Sequence, residues 1–231
     1  MGYLLGIDLG SSSIKATLLE VATGKVIASA TAPEMEMEIQ AHKPGWAEQD
    51  PALWWENVKT AITKIKVNSG IDPQEISAIG IAYQMHGLVL VDRNFEVLRP
   101  AIIWCDSRAV DIGNQAFAEL GEAVSLRRLL NSPGNFTASK LKWVQKNEPE
   151  LYGRIYKAML PGDYISLKMT GEIKTTPSGL SEGIFWDFTE QKLAGFLLDY
   201  YGISSELMPE VVPTFSLQGE LTNKAAEELG L

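Results

Sequence analysis

The chain has 231 residues, of which 45% are hydrophobic, enough to form a core in one domain or at most two small ones. Its formal net charge is -9 and Lys and Arg accumulate nowhere, so neither nucleic acid nor an anionic membrane is an expected partner. Cys105 is the single cysteine, which excludes an intrachain disulfide and suits a reducing cytoplasm.

The order of predicted elements is typical of one α/β domain without a linker or repeat. Hydrophobic periodicity predicts strands, the first three as an antiparallel meander, at residues 3–8, 14–20, 25–31, 76–82, 88–92 and 101–104. Helices are predicted at residues 51–69, 108–130, 137–147, 160–172, 190–201 and 223–229. Asp50 and Pro51 form a good N-cap and first-turn pair, and residues 174–188 are expected to form a loop with strand fragments. The N-terminus lacks a basic segment, so we expect no signal peptide.

The first candidate site follows the first strand. Asp8 stands at the end of the strand. A turn rich in N–H and O–H donors comes next, and it comprises Gly10, Ser11, Ser12 and Ser13. Lys15 follows this turn. Such a turn can hold phosphate oxygens, and a carboxylate beside it can hold Mg²⁺ directly or through water. The spacing is not that of a Walker A loop. The alternative is a capped hairpin turn in which Asp8 is hydrogen-bonded to the main chain, and the turn taken alone favours it.

The second candidate site is Gln84-Met85-His86-Gly87, directly after a buried strand. Ligands in open α/β sheets bind beyond the carboxyl ends of strands, and a polyol needs converging donors and acceptors. Gln84 and His86 supply both. A histidine that only satisfies a loop or core contact is the alternative. The chain has 2 His, so a metal site built from histidines is not expected.

The third candidate site is Trp104-Cys105-Asp106-Ser107-Arg108, again at a strand end. Trp104 can form an apolar wall for the C–H face of a sugar, and Asp106 can add a polar group. The alternative is Asp106 as an N-cap with Arg108 in the first turn of a helix. For Cys105 we expect a small buried apolar role rather than that of a nucleophile.

Three tryptophans around residues 42–51 leave two interpretations open. Trp46, Trp54 and Trp55 can stack on a sugar, or they can pack between the loop and the following helix. The helical spacing of Trp54 favours core packing for that residue.

Together these motifs resemble the FGGY family of carbohydrate kinases over essentially the whole chain. GIDLGSSSIKA resembles the phosphate-binding hairpin of the actin, Hsp70 and sugar-kinase superfamily, and WAEQDP with the next two tryptophans is similar to FGGY kinases in particular. The loop at residues 84–87 is similar to the substrate loop of the ketopentose kinases in this family. Further similar segments follow in family order at residues 98–108, 136–150 and 160–172.

The resemblance implies an ATP-dependent transfer of phosphate to a hydroxyl of a ketopentose, with Mg²⁺ as cofactor. D-xylulose is the ketopentose that the resemblance favours. It implies a ribonuclease H-like fold, with an antiparallel meander joined to parallel strands and flanked by helices. Asp8 matches the acid that positions metal and phosphate, and Met85 and His86 match the pair that contacts the sugar. Trp104 and Asp106 lie in a segment near that pocket.

Two departures from the family pattern affect this expectation. Cys105 and Ser107 stand where Asn and Gly are common. In the family, a Gly-Gly-Asp-Asn-like segment carries the catalytic base and opens a second domain, and this chain reaches Leu231 before any such segment. Residues 1–231 are therefore expected to be the sugar-binding N-terminal domain of a larger kinase, inactive without its C-terminal domain.

Two alternatives to this function remain open from the sequence. The sugar can be another one, such as ribulose, fuculose or gluconate. The chain can also be a non-catalytic sugar-binding module, because the segment that carries the base is not in it. A homodimer is compatible with the sequence, which does not determine the oligomeric state.

Overall fold

The computed structural model describes residues 2–231, and its strands and helices confirm the α/β class that the sequence predicts. The strands are β1 (Tyr3–Leu9), β2 (Ile14–Glu20), β3 (Val26–Ala32), β4 (Glu48–Gln49), β5 (Ile76–Tyr83), β6 (Val89–Val91), β7 (Ala101–Ile102), β8 (Lys157–Met159), β9 (Lys174–Thr175), β10 (Trp186–Asp187), β11 (Lys192–Leu193) and β12 (Glu210–Val211). The helices are α1 (Pro51–Ser69), α2 (Val110–Leu120), α3 (Glu122–Arg128), α4 (Thr137–Asn147), α5 (Pro149–Tyr152), α6 (Pro161–Thr170), α7 (Pro177–Glu182), α8 (Gly195–Tyr201) and α9 (Asn223–Leu229). Short 3₁₀ turns lie at Pro73–Glu75 and Ser205–Leu207.

A four-stranded mixed sheet in the order β3-β2-β1-β5 forms the framework of the site. β1, β2 and β3 form the predicted antiparallel meander, and β5 pairs with β1 in parallel. The predicted strands at residues 88–92 and 101–104 do not extend this sheet. They form short antiparallel pairs instead, β6 with β8 and β7 with β4. The carboxyl ends of β1 and β5 therefore lie side by side.

Helix α1 covers one face of the meander. Asp50 accepts a hydrogen bond from Ala52 N at 2.9 Å, Pro51 occupies the first turn, and the helix ends before Gly70, as the sequence predicts. Its inward residues are fully buried against the meander, chiefly against β2 and β3; they are Trp54, Val58, Ala61, Ile62 and Ile65. Full burial of a side chain the size of Val58 or Ile62 contributes about 1.5–3 kcal/mol to the stability of the fold.

Strand β6 joins the two hydrophobic clusters of the molecule. Val89 and Val91 point into the cluster that contains the mixed sheet, α1, α6 and α9. Leu90, between them, points into the cluster built around α4 and α8. Because strand residues alternate between faces, a single short strand ties the two clusters together.

Two predicted helices are shorter in the structure than in the sequence pattern. The segment 108–130 is divided into α2 and α3 at Gly121, whose φ of 90° lies in a region that favours glycine. The segment 190–201 begins as β11, which pairs with β10, and becomes helical only in α8. Apolar spacing alone does not reveal either interruption.

Helix α7 lies within residues 174–188, which the sequence analysis described as a loop. Thr176 caps it by accepting a hydrogen bond from Gly179 N at 3.1 Å, and Pro177 occupies its first turn. A Thr-Pro pair is a helix-start signal, but the short segment after it gives no periodicity to support that reading.

Candidate functional site

The three candidate motifs meet at one end of the mixed sheet. Gln84 N, just after β5, donates a hydrogen bond to Leu9 O at the end of β1, at 2.7 Å. Trp104 Nε1, just after β7, donates to Ser11 Oγ at 3.1 Å. The three segments are called here the serine turn (residues 10–13), the histidine loop (residues 84–87) and the tryptophan loop (residues 104–108). Strand ends of an α/β sheet are the usual place for a ligand site.

The serine turn is closed and tied to its surroundings through its carbonyl groups. Gly10 N donates to Ser13 O at 3.1 Å, and Gln49 Nε2 donates to Ser11 O at 2.7 Å. Within residues 2–231 the N–H groups of Ser11 and Ser12 have no acceptor. Free main-chain N–H groups in a fixed turn can bind an anion, so the turn can serve as a phosphate cradle.

Asp8 presents an available carboxylate beside the serine turn. It lies opposite Lys15 in the β1–β2 register, with Lys15 Nζ 3.5 Å from its Oδ2. Both side chains are more than half exposed, so this pair is weak and leaves the carboxylate accessible. No group of three His, Cys, Asp or Glu side chains within residues 2–231 is arranged to hold a metal. These residues fit a Mg²⁺ held through one carboxylate, with water and phosphate oxygens as its other ligands.

The His86 side chain is held in a defined position and tautomer. Its Nδ1 lies 2.8 Å from the carbonyl oxygen of Glu182, which can only accept, so Nδ1 carries the proton and donates. The ring packs edge-to-face on Phe136 at 4.2 Å between centroids. Burial lowers the pKa of His86 below its usual value, against the raising effect of Glu182. The imidazole is therefore neutral near pH 7, and its Nε2 is an acceptor for a ligand hydroxyl.

Met85 and Trp104 provide exposed apolar surface in the histidine and tryptophan loops, being 51% and 48% exposed. Gln84 is the first residue of the histidine loop, directly after β5, and both of its side-chain amide atoms are buried without a partner in residues 2–231. A buried polar group without a partner typically costs about 1–3 kcal/mol, which makes this amide an unusual feature.

Asp106 does not present its carboxylate to solvent, contrary to the prediction that it binds substrate. The residue is fully buried, and its Oδ2 accepts from Ala47 N at 2.6 Å and from Arg108 Nη2 at 2.6 Å. Its Oδ1 accepts from Arg108 N at 2.9 Å. The carboxylate is fully used inside the protein, so its role is to hold the tryptophan loop against the segment before α1. The N-cap alternative is wrong as well, because α2 starts at Val110 with no side-chain cap.

The WAEQDP segment forms part of this buried support. Arg108 stacks over Trp46, with its Cζ 3.7 Å from the ring centroid, and its Nη1 lies 2.7 Å from Glu48 Oε1. Glu48 also pairs with Arg99, which binds Glu148 in turn. Trp54 and Trp55 are therefore packed in the core, whereas Trp46 is partly buried and stacks on an arginine of the protein.

Cys105 is exposed, so the prediction of a buried apolar role is wrong. Partial burial still raises the pKa of its thiol, against the lowering effect of Lys140. A raised pKa disfavours the thiolate, which agrees with the expectation that Cys105 is no nucleophile.

The sequence analysis missed Lys140, a buried residue of α4 that contacts both loops. Its Nζ donates to His86 O at 2.8 Å and to Ile103 O at 2.9 Å. Its spacing from Thr137 and Val144, which are also buried, is the signal that would have placed it on the inner face of the helix. Glu182 and Phe136, which fix the His86 ring, had no comparable signal because they are distant in sequence.

The burial of Lys140 predicts a specific pH dependence of stability. Burial lowers the pKa of this ammonium from 10.5 to about 8, with Asp106 opposing and Arg108 assisting the shift. Between pH 8 and 10.5 the unfolded chain then binds more protons at this group than the folded chain does. The free energy of unfolding therefore rises with pH across this window, and this gain is lost again as the pH falls to about 8. The slope of the unfolding free energy from this group is at most about 1.4 kcal/mol per pH unit.

Denaturant unfolding of the wild type and Lys140→Met from pH 8 to 10.5 measures this contribution as the difference between the two slopes. Parallel curves would contradict the prediction.

Comparison with known proteins agrees with the class that this architecture defines, a ribonuclease H-like domain of the kind found in sugar kinases. The structure of xylulose kinase from Rhodospirillum rubrum matches with a TM-score of 0.89 and 29% identity, over 99% of this chain and 46% of that one. The xylulose kinases of Escherichia coli (strain K12) and Bacillus subtilis (strain 168) are 34% and 32% identical over 227 and 234 residues. These matches cover 98% and 100% of this chain, and 46% of each relative.

A model of the N-terminal domain of the FGGY family of carbohydrate kinases matches residues 3–231. The chain belongs to this family. It spans about half the length of the curated relatives it matches. Within residues 2–231 no helix has the length and apolar character needed to cross a membrane.

Proposed function

We propose that the complete protein containing this chain transfers the γ-phosphate of ATP to a hydroxyl of a ketopentose, D-xylulose in particular, to give D-xylulose 5-phosphate. The observation that carries the proposal is the convergence of the serine turn, the histidine loop and the tryptophan loop at one end of the sheet. One side of this site suits phosphate and metal, and the other suits a polyol. The names of the relatives support the choice of sugar.

In this proposal the residues of the chain bind and orient the two substrates. His86 Nε2 accepts a sugar hydroxyl, while Met85 and Trp104 contact the C–H faces of the sugar. The free N–H groups of the serine turn and the ammonium of Lys15 bind phosphate oxygens. Mg²⁺ at Asp8 neutralises phosphate charge when it is bound. Asp106 has only the supporting role that its burial gives it.

The reaction needs in-line positioning and a proton acceptor. A sugar oxygen forms the new P–O bond, the bond to the β-phosphate breaks, ADP leaves, and the hydroxyl proton passes to a base. We assign the base to the C-terminal domain, as the family resemblance implies. Asp8 is not the base in this proposal, because a carboxylate that holds Mg²⁺ is a poor proton acceptor.

We place the protein in the cytoplasm, with ATP as its cosubstrate and Mg²⁺ as its cofactor.

Residues 1–231 expressed alone should fold and yet release no ADP in response to D-xylulose. A missing general base typically costs about 10²–10⁴-fold, and lost positioning can cost about 7–11 kcal/mol more. A coupled ADP-release assay, with circular dichroism to verify folding, measures this. Sugar-dependent turnover at rates near those of ordinary kinases would place a base within these residues.

Replacing His86 with alanine should raise KM for D-xylulose, with kcat less affected. The variant loses a sugar acceptor, whereas the phosphate side of the site is untouched. His42, the other histidine, is exposed and belongs to none of the three loops, so His42→Ala is a matched control that should retain the wild-type KM. Parallel measurements of melting temperature separate binding from folding. An equal loss of sugar affinity and thermal stability would give His86 a structural role.

A panel of sugars tests the choice of substrate. We expect the highest kcat/KM for D-xylulose, with lower values for ribulose, fuculose and gluconate, because each pocket contact discriminates by about 1–3 kcal/mol. A higher value for another sugar would keep the kinase function and change its substrate. Sugar binding without ADP release by the complete protein would indicate a non-catalytic module.

A further inference from the structure

Lys140 connects the two loops that the proposed function assigns to the sugar. The residue is fully buried on the inner face of α4. Its Nζ donates to the main-chain carbonyl of His86, in the histidine loop, at 2.8 Å. It also donates to Ile103 O, directly before the tryptophan loop, at 2.9 Å. One ammonium group thus fixes the distance between the two loops.

An ammonium is an expensive group for this position. No acidic side chain within residues 2–231 lies at ion-pair distance from Lys140, so its direct partners are two carbonyl dipoles, and the more distant charge of Asp106 adds a favourable contribution. Burying a charge without a charged partner is strongly unfavourable, and an apolar residue of similar size would avoid that cost. The residue is better explained by the geometry it imposes than by stability.

The histidine loop needs such support because His86 has a φ of 58°, which is uncommon for a residue other than glycine. Conformations of this kind persist when the surrounding contacts over-determine them. A second bond from α4 acts on the next residue, where Thr137 Oγ1 donates to Gly87 O at 3.2 Å. A Cβ at Gly87 would lie 2.5 Å from Pro161 Cγ, so the loop is also pressed against the start of α6.

We propose that Lys140, assisted by Thr137, is a positioning residue that presents His86 to the sugar by fixing the main chain of the histidine loop to the tryptophan loop. Neither α4 side chain contacts the sugar. Their effect on sugar affinity passes through His86, so it should disappear when the imidazole is absent. This inference rests on the proposed function.

A double-mutant cycle on the complete protein tests this dependence. Lys140→Met should raise KM for D-xylulose about tenfold in the wild-type background, a coupling of the size found between residues in contact. In the His86→Ala background the same substitution should change KM by less than about twofold, because the group it positions is gone. KM for ATP should stay within about twofold in both backgrounds.

Lys142 offers a matched control on the same helix. Its Nζ also donates to a main-chain carbonyl, that of Tyr201 at 2.6 Å, but this carbonyl belongs to neither loop. Lys142→Met should leave KM for D-xylulose unchanged in both backgrounds. If Lys140→Met does not fold, Thr137→Val takes its place in the cycle, with an expected rise of about threefold confined to the background that retains His86.

Two outcomes would overturn the inference. One is an unchanged KM in Lys140→Met, or in Thr137→Val where that variant replaces it. The other is an equal rise in KM with and without His86. A wild-type protein that does not phosphorylate D-xylulose would instead overturn the proposed function, and the two failures are therefore distinguishable.

Discussion

Replacing Asp8 with alanine should lower kcat about 10²–10³-fold and leave KM for the sugar nearly unchanged. The carboxylate stands beside the serine turn, paired only loosely with Lys15 at 3.5 Å, and is available to hold Mg²⁺ against the phosphates. In the proposed function, its charge acts where negative charge is redistributed during phosphate transfer. The sugar contacts assigned to Met85, His86 and Trp104 lie on the other two loops and remain intact.

Asp8→Asn is the matched variant, because it retains the shape of the side chain and loses its charge. Its kcat should fall as far as that of Asp8→Ala if charge is the important property. Steady-state kinetics at saturating Mg²⁺ measures both. Retention of at least half of the wild-type kcat by either variant would show that Asp8 does not act on the phosphates.

Replacing Arg108 with methionine should destabilise the protein by about 3–5 kcal/mol, the usual cost of removing one partner from a buried ionic network. The Arg108 side chain is almost completely buried and pairs with Asp106 and Glu48, which are buried as well. The substitution leaves the carboxylate of Asp106 without its arginine and also removes the stacking of the guanidinium over Trp46.

Denaturant unfolding measures this loss, which corresponds to roughly 10 °C in melting temperature for a domain of this size. The control is Lys59→Met, because Lys59 pairs with Glu56 on the exposed side of α1 and such surface pairs contribute at most about 1 kcal/mol. If Arg108→Met lowered the free energy of unfolding as little as Lys59→Met does, the buried network would not hold the tryptophan loop in place.

Local signals in the sequence predict most of the framework. The meander follows from three short strands separated by tight turns, and α1 follows from Asp50, Pro51 and its apolar face. The interruptions at Gly121 and at β11 were missed because they depend on main-chain conformation and strand pairing, which periodicity does not report. The pairing partners of the predicted strands after β5 depend on tertiary contacts and were likewise not accessible from the sequence.

The candidate site was predictable as a set of loops but not as a set of contacts. Strand ends indicated where the three motifs would lie, and the structure brings them together. The sequence could not reveal that Asp106 turns inward to Arg108, because an aspartate at a loop end suits a ligand and an internal ion pair equally well. Cys105 was expected inside and lies outside, since residue type reports only average burial. The contacts of Lys140 join segments far apart in sequence.

The most direct test of the proposed function is to follow phosphate itself. The complete protein is incubated with ATP, Mg²⁺ and D-xylulose, and the products are observed by ³¹P nuclear magnetic resonance. We expect a sugar phosphomonoester that forms in the same amount as ADP, with no matching release of inorganic phosphate. Formation of ADP with inorganic phosphate alone, or no consumption of ATP in the presence of the sugar, would contradict the assignment as a D-xylulose kinase.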